Sequence, residues 1–400
     1  MTNIKNDSYW ENFTAGEYPA LCDAQQELEK QTTWTNEVKK ISILPLDTPM
    51  DVEVEMLDPA NKISKEVLLD TAENCGLMIS FDGQKECLRD CAMPSLMSTV
   101  EIRGVGVFRP EKTQQAIALT ALLTGCRTHS KVMTRAGKVS AIVSPKYAEM
   151  PISQLLSITD NLDAYLGTPE FISGCVTHSL TVAKFRYPDA TKDITAAYSK
   201  VLAAHGRTLS PGEELTPIVE FRSSDTSGEA AKLLTYLQLS PGHLMPIGEG
   251  VRVNHVTPLE YDDKGQRISA MDKFEQEAQL IYSRLEYDVN NLIPEMLNTE
   301  IFYPANTFVG LCKKARIPQK WGGEVEEEIR RDWPDGSSCT FLDVYEYLTS
   351  VTKLALDDNA PHSQRLLDLE EDIARIAHNK AIWTKYDLPG TVAWVQAVNT

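Results

Sequence analysis

Apolar and polar positions divide the chain into a sheet-bearing first part and a helical last part. Residues 51–57, DVEVEML, alternate as a half-buried strand does, and Asp58-Pro59-Ala60-Asn61 then turns the chain. Ser64 caps a helix expected through Glu73, and a second helix is predicted over 82–91, stopped by Pro94. Residues 100–110, VEIRGVGVFRP, read as a strand with glycines. Residues 110–123 read as a helix with a broad apolar face at Ala116, Ile117, Leu119, Leu122 and Leu123.

The most legible unit runs from Ser130 to Pro151. Arg135-Ala136-Gly137-Lys138 interrupts two β-rich runs, Lys131 to Thr134 and Val139 to Val143, and Gly137 supplies the positive φ of a tight hairpin turn. Ser144-Pro145 ends the second strand, because proline has no N–H for a ladder. Pro151 then opens a helix in which Ile152, Leu155, Leu156 and Leu162 recur at helical spacing.

Residues 171–187 read as one long or two short strands, and 194–204 as a helix that Gly206 ends. Residues 215–222 and 250–256 read as strands, while 227–240 suits helix and strand equally. From about residue 266 the texture is helical, over 271–292, 304–315, 325–331, 339–355 and 366–383, with Pro318, Pro334 and Pro361 between. The expected class is α+β: a mixed or antiparallel sheet body with packed helices, followed by an all-helical C-terminal domain. The expected division is a peripheral segment over 1–44 with a helical patch at 22–30, the body over 45–262 and the helical domain over 263–400.

Composition adds little to this picture and charge adds more. The 400 residues are 42% hydrophobic and 24% charged, an ordinary globular balance with ample core. Eight cysteines lie scattered, and no apolar targeting run opens the chain or spans a bilayer within it, so a reducing bacterial-host cytoplasm without membrane contact is expected. The net charge is −18, yet residues 102–147 carry eight Lys+Arg against a single acidic residue. A chain that repels polyanions at long range thus holds one segment able to attract them at contact, unless neighbouring carboxylates neutralise it.

Few motifs of known chemistry survive inspection. Gly104-x-Gly106 lacks the third glycine of a dinucleotide fingerprint, and Gly137-Lys138 lacks the rest of a phosphate loop. No nucleophile elbow or His-Glu-x-x-His helix occurs, so no catalytic residue is assigned; the reading leans to a non-enzyme and leaves open a hydrolase whose site is assembled from distant loops. Cys75, Cys87 and Cys91 read as core thiols with helical i, i+4 spacing for the last pair; neither metal nor cofactor is expected. His243 and His255 flank the glycine-bearing stretch 246–250, which allows them to converge.

Two features remain as candidate sites. Arg103, Arg109, Arg127, Lys131, Arg135, Lys138 and Lys146, with His129, interleave with Phe108 and Tyr147; cations on a hairpin beside a stacking ring suit a phosphodiester backbone and exposed bases. Arg222, Ser223, Ser224, Ser227 and Gly228 follow an apolar strand, and their hydroxyls and N–H groups suit an anion nest or a plain capped turn.

The stretch Arg135-Ala136-Gly137-Lys138-Val139-Ser140-Ala141-Ile142-Val143-Ser144-Pro145-Lys146-Tyr147 resembles the "R-x-G-x-V-R-A-V-L-S-D-x-Y" segment of the DUF932 family of phage- and plasmid-like proteins. Residues 217–228 are similar to its "P-G-I-x-V-S-N-S-E-V-G" run, and 250–255 stand where it has "C-T-N-G". Ser140 replaces an arginine and Pro145 an aspartate of the pattern. The resemblance spans roughly 75–260 and implies a mobile-element origin without supplying a catalytic residue. The expectation is a non-enzymatic nucleic-acid-binding protein, acting on single-stranded DNA in recombination or replication. The alternatives are an anti-defence protein that binds a small nucleotide or a host defence protein, and an oligomeric assembly or interaction protein.

Overall fold

The computed structural model describes residues 10, 13–45, 74–102, 111–125, 129–160, 162, 166–240, 243–248, 250–256, 260–261, 265–334, 336–390 and 394. Its class is α+β, with two sheets and a helical C-terminal part. The first sheet has six strands in the order β2-β6-β7-β5-β4-β3. They are β2 (Thr32–Val38), β3 (Ile41–Pro45), β4 (Asn74–Phe81), β5 (Gln84–Arg89), β6 (Ser130–Arg135) and β7 (Lys138–Val143). All its pairings are antiparallel except β5 with β7. Helix α2 (Met93–Thr99) and helix α3 (Lys112–Gly125) cover it around Leu77, Ile79, Leu88, Leu96 and Leu119. Thr120 ties α3 to the edge strand: its hydroxyl donates to the Ile43 carbonyl at 3.1 Å and accepts the Ile43 N–H at 2.8 Å.

The second sheet runs β1-β8-β9-β10-β11-β12, with β13 also paired to β11, and every pairing is antiparallel. Its strands are β1 (Thr14–Ala15), β8 (Glu170–Val176), β9 (Thr181–Arg186), β10 (Thr216–Ser223), β11 (Ala231–Ser240), β12 (His243–Pro246) and β13 (Val251–Val253). One face meets α1 (Tyr18–Lys30), α4 (Ile152–Asp160) and α6 (Ala270–Ala278) through Phe185, Phe221, Leu233 and Phe274. Helix α5 (Pro188–Ala204) packs with α7 (Ile281–Asn298) around Leu237, Met245 and Ile247. The same core takes in α8 (Pro304–Lys314), α9 (Gln319–Asp332), α10 (Phe341–Asp358) and α11 (Gln364–His378). A two-stranded ribbon of β14 (Glu300–Ile301) and β15 (Cys339–Thr340) completes the list.

Several expectations need correction. Residues 13–45 are not peripheral: β1 edges one sheet, and β2 and β3 edge the other. The helix expected over 82–91 is instead β5 and a 3₁₀ turn, because Asp82 (φ +47°) and Gly83 (φ +80°) turn the chain tightly from β4 into β5. Pro94 opens α2 instead of stopping a helix, since its missing N–H costs nothing in a first turn. Cys87 accordingly sits on a strand and Cys91 in the 3₁₀ turn, so the helical thiol spacing does not exist. The helix expected over 271–292 is two helices that part at Gln279-Leu280. The helical part is not a separate unit, because α5, β11 and β12 share one apolar core with α7 to α11. The strand at 51–57, the helix at 64–73 and most of the strand at 100–110 lie outside the described residues. No described helix is long and apolar enough to cross a membrane.

The face of the second sheet opposite Phe221 carries charge. Lys184 on β9, Glu220 and Arg222 on β10 and Tyr236 on β11 meet Glu370 of α11, all of them buried. Lys184 reaches Glu220 at 2.7 Å and Glu370 at 3.0 Å. Arg222 pairs with Glu220, with Glu370 at 2.9 Å and with the Leu367 carbonyl at 2.8 Å. Cations and carboxylates balance here, and α11 is fixed to the sheet by the cluster.

Candidate functional site

The three stretches that stand out in the sequence come together in space. Hairpin β6–β7 turns at Ala136 (φ +51°) and Gly137 (φ +74°), the paired positive angles of a two-residue turn whose twist matches its strands. The turn brings Arg135 into the protein, where it is fully buried. Its guanidinium meets the Asp225 carboxylate at 2.5 Å, donates to the His178 carbonyl at 2.7 Å and to the Thr32 hydroxyl at 2.9 Å. Tyr147, just past the hairpin, donates its hydroxyl to the Asp225 carbonyl at 2.8 Å. Its ring stacks on His255 at 5.2 Å with 4° between planes, and Trp34 closes on it at 5.6 Å. The Ala148 N–H donates to the His255 carbonyl at 3.0 Å, and Tyr147 bridges to Val256.

This arrangement overturns the outward cationic face. Arg135 and Lys138 are buried, and Lys131 is spent on Glu149 (3.1 Å) and the Tyr147 carbonyl (3.1 Å). Tyr147 is buried as well, and of the described hairpin cations Lys146 alone is exposed. His129 is exposed at the foot of β6. Arg103, Phe108, Arg109 and Arg127 lie outside the described residues. The anion nest is corrected too. Arg222 is locked between Glu220 and Glu370, and the Ser224 hydroxyl turns back onto the Thr226 N–H at 3.2 Å and the Thr226 hydroxyl at 2.9 Å. Ser223 is buried with them. Ser227 and Gly228 are exposed and reach a cavity wall.

That wall belongs to a cleft of about 410 Å³ between the end of β7, α2, the β10–β11 loop and the segment through β13. Arg252, Asn254 and Val256 point outward along that segment, while Val251, Val253 and His255 turn in, the alternation of an extended chain. Hydroxyls of Ser98, Ser144 and Ser227 complete a polar lining, and Tyr147 and Val143 give it an apolar floor. Ser227 holds a left-handed backbone (φ +65°), a strain that persists where the surroundings demand it and concentrates at ligand sites.

His255 is the unusual member. It is 5% exposed, and neither ring nitrogen has a hydrogen-bond partner. Burial holds its pKa at about 4 against the opposing pull of Asp225 and of the Ala148 backbone, so the ring is neutral at pH 7 and offers one donor and one acceptor. Leaving such a group unpaired costs about 1–3 kcal/mol.

A second cleft of about 760 Å³ lies on the other side of the β10–β11 loop. Asp90, Glu229 and Asp368 line it beside Arg89, whose buried guanidinium donates to the Arg135 carbonyl at 3.2 Å. Burial raises the pKa of Asp90. Its lining is acidic, with three carboxylates against one guanidinium.

Sequence reasoning missed Arg252, Asn254 and Asp225 as site residues, although all three lie in stretches matched to the family pattern. The histidine pair did not converge: His243 bonds the Thr349 hydroxyl at 2.8 Å, away from His255. No group of His, Cys, Asp or Glu able to hold a metal occurs among the described residues. Family models, curated proteins and solved structures offer no match to this chain, and its site rests on its own geometry.

Proposed function

We propose that this chain is a binding protein of mobile-element origin, related to the DUF932 phage- and plasmid-like proteins, that takes a small nucleotide-like ligand into the Tyr147–His255 cleft. The observation that carries the reading is His255, a neutral buried ring with two unpaired nitrogens in the wall of a polar cleft of pocket size. A residue kept there at a stability penalty has a use beyond packing, since phenylalanine would stack on Tyr147 equally well. Single-strand binding through the hairpin has less support, because Arg135 and Lys138 face inward and Lys131 is already paired.

The test is a thermal-shift panel of nucleosides, mononucleotides and cyclic nucleotides on the full chain, repeated with His255→Phe. A ligand at 100 times its Kd adds about 2.7 kcal/mol of stability. The expected result is a shift for the wild type that His255→Phe abolishes, while the unliganded variant is itself more stable. No shift across the panel, or equal shifts in the variant, rejects the reading. Fluorescence titration with single-stranded DNA at 50 mM salt tests the other function: tight binding with a steep salt slope would restore it.

A further inference from the structure

The cleft has one cation to spare. Glu229 in its wall is matched by Lys232 at 2.5 Å, and Lys232 also reaches Glu371 of α11 at 2.6 Å. Glu371 is held on its other oxygen by Arg375. Arg252 approaches the same carboxylate only to 3.9 Å, beyond hydrogen-bond length, and its side chain is 57% exposed. Its guanidinium therefore stands at the cleft mouth with weak ties, next to Asn254 on the same outward row. In a chain of net charge −18 this is a local site of opposite sign.

Resting on the proposed cleft, we infer that Arg252 receives the ligand's oxyanion and that the ligand class is a nucleoside monophosphate, held at its phosphate by Arg252 and at a polar group of the nucleoside by His255. A planar guanidinium offers parallel N–H donors that match two phosphate oxygens, and a charge-assisted pair of this kind is about twice as strong as a neutral hydrogen bond. Ser144 and Ser227 hydroxyls and the Asn254 amide add donors around the same mouth. The apolar floor of Tyr147 and Val143 lies beneath, where a nucleoside rather than bare phosphate has surface to bury. A phosphate would draw Arg252 away from Glu371 without exposing that carboxylate, which keeps Lys232 and Arg375.

The experiment compares Kd values by calorimetry for four nucleosides, their 5′-monophosphates and inorganic phosphate, on the full chain and on Arg252→Gln and Arg252→Lys. The side chain is exposed, so both variants should fold, with far-UV circular dichroism as the control. The expected result is at least one monophosphate binding tenfold or more tighter than its nucleoside. Arg252→Gln should bring that ratio near one, with Arg252→Lys in between. Equal binding of nucleoside and monophosphate by the wild type, or an unchanged ratio in Arg252→Gln, overturns this inference and leaves the cleft standing. Nucleoside binding unaffected by His255→Phe would instead reject the cleft itself, and with it the inference. Phosphate binding as tightly as the monophosphate rejects the nucleoside part alone.

Discussion

The Arg135 guanidinium and the Asp225 carboxylate meet at 2.5 Å across 90 residues of sequence, and the contact joins the two sheets. Arg135 is fully buried, and Asp225 has a 17% exposed side chain. Breaking such a pair from one side strands a charge away from water, which costs about 3–5 kcal/mol. Arg135→Met is therefore expected to lower the urea unfolding free energy by about that amount, and Asp225→Asn by less, because the amide still accepts a hydrogen bond. A change under about 0.5 kcal/mol for Arg135→Met would show that the pair does not hold the sheets together.

Glu370 fixes α11 to the second sheet, and its removal should be as damaging. Burial alone would raise its pKa, but Lys184 and Arg222 more than offset this and hold it below the usual carboxylate range. Glu370→Leu leaves Arg222 and Lys184 sharing Glu220 and is expected to cost about 3–5 kcal/mol. The double variant Arg222→Leu/Glu370→Leu leaves Lys184 with Glu220, so its loss should fall well below the sum of the single losses. Additive losses in urea denaturation would mean that the cluster does not act as a unit.

What the sequence disclosed is what local chemistry decides. Gly137 announces a hairpin because positive φ is a property of that residue, and Pro151 marks a helix start for the same kind of reason, whereas Pro188 opens α5 six residues before the helix expected at 194. Asp82-Gly83 carried an equally local turn signal, and the helical spacing of Cys87 and Cys91 concealed it. Residues 227–240 were ambiguous because β11 is buried on both faces, so its apolar residues do not alternate. The site was legible as three stretches but not as one cleft. Nothing local tells whether Arg135 faces water or Asp225, and a count of positive charge over 102–147 cannot locate carboxylates 90 residues away.

Gly250 places the strand that carries Arg252 and His255. Its φ is +64°, and a Cβ there would lie 2.3 Å from the Leu233 carbonyl of β11. Any side chain must push β13 off its partner, because the obstacle is backbone and cannot rotate away. Gly250→Ala is expected to destabilise the protein by more than about 1 kcal/mol. It should also weaken ligand binding in the cleft, which lies two to five residues on. Wild-type stability in this variant would show that the β11–β13 pairing yields easily.

Two buried histidines should each cost stability as pH falls from 7 to 5. His362 is buried in the loop before α11, its ring nitrogens unpartnered and its φ at +61°. Burial, with Lys184 and then Arg222 adding to it against Glu370, holds its pKa at about 4, the same value as His255. The unfolded chain titrates these rings near 6.5, so it binds protons that the folded chain refuses as pH falls from 6.5 to 4. Each ring thus removes about 2 kcal/mol between pH 7 and pH 5. Glu370, with its pKa depressed, loses stability only below the ordinary carboxylate range, and the two windows separate. Glu86 and Glu346, raised by burial to about 7, act in the opposite sense and lose stability as pH rises from 4.5 through 7. They are common to wild type and variant, so the comparison cancels them. His362→Asn removes one titration and places in the left-handed region a residue that tolerates it. Its change in urea stability from pH 7 to pH 5 should be about 2 kcal/mol more favourable than that of the wild type. Parallel pH profiles for the two proteins would mean that His362 accepts a proton in the folded state.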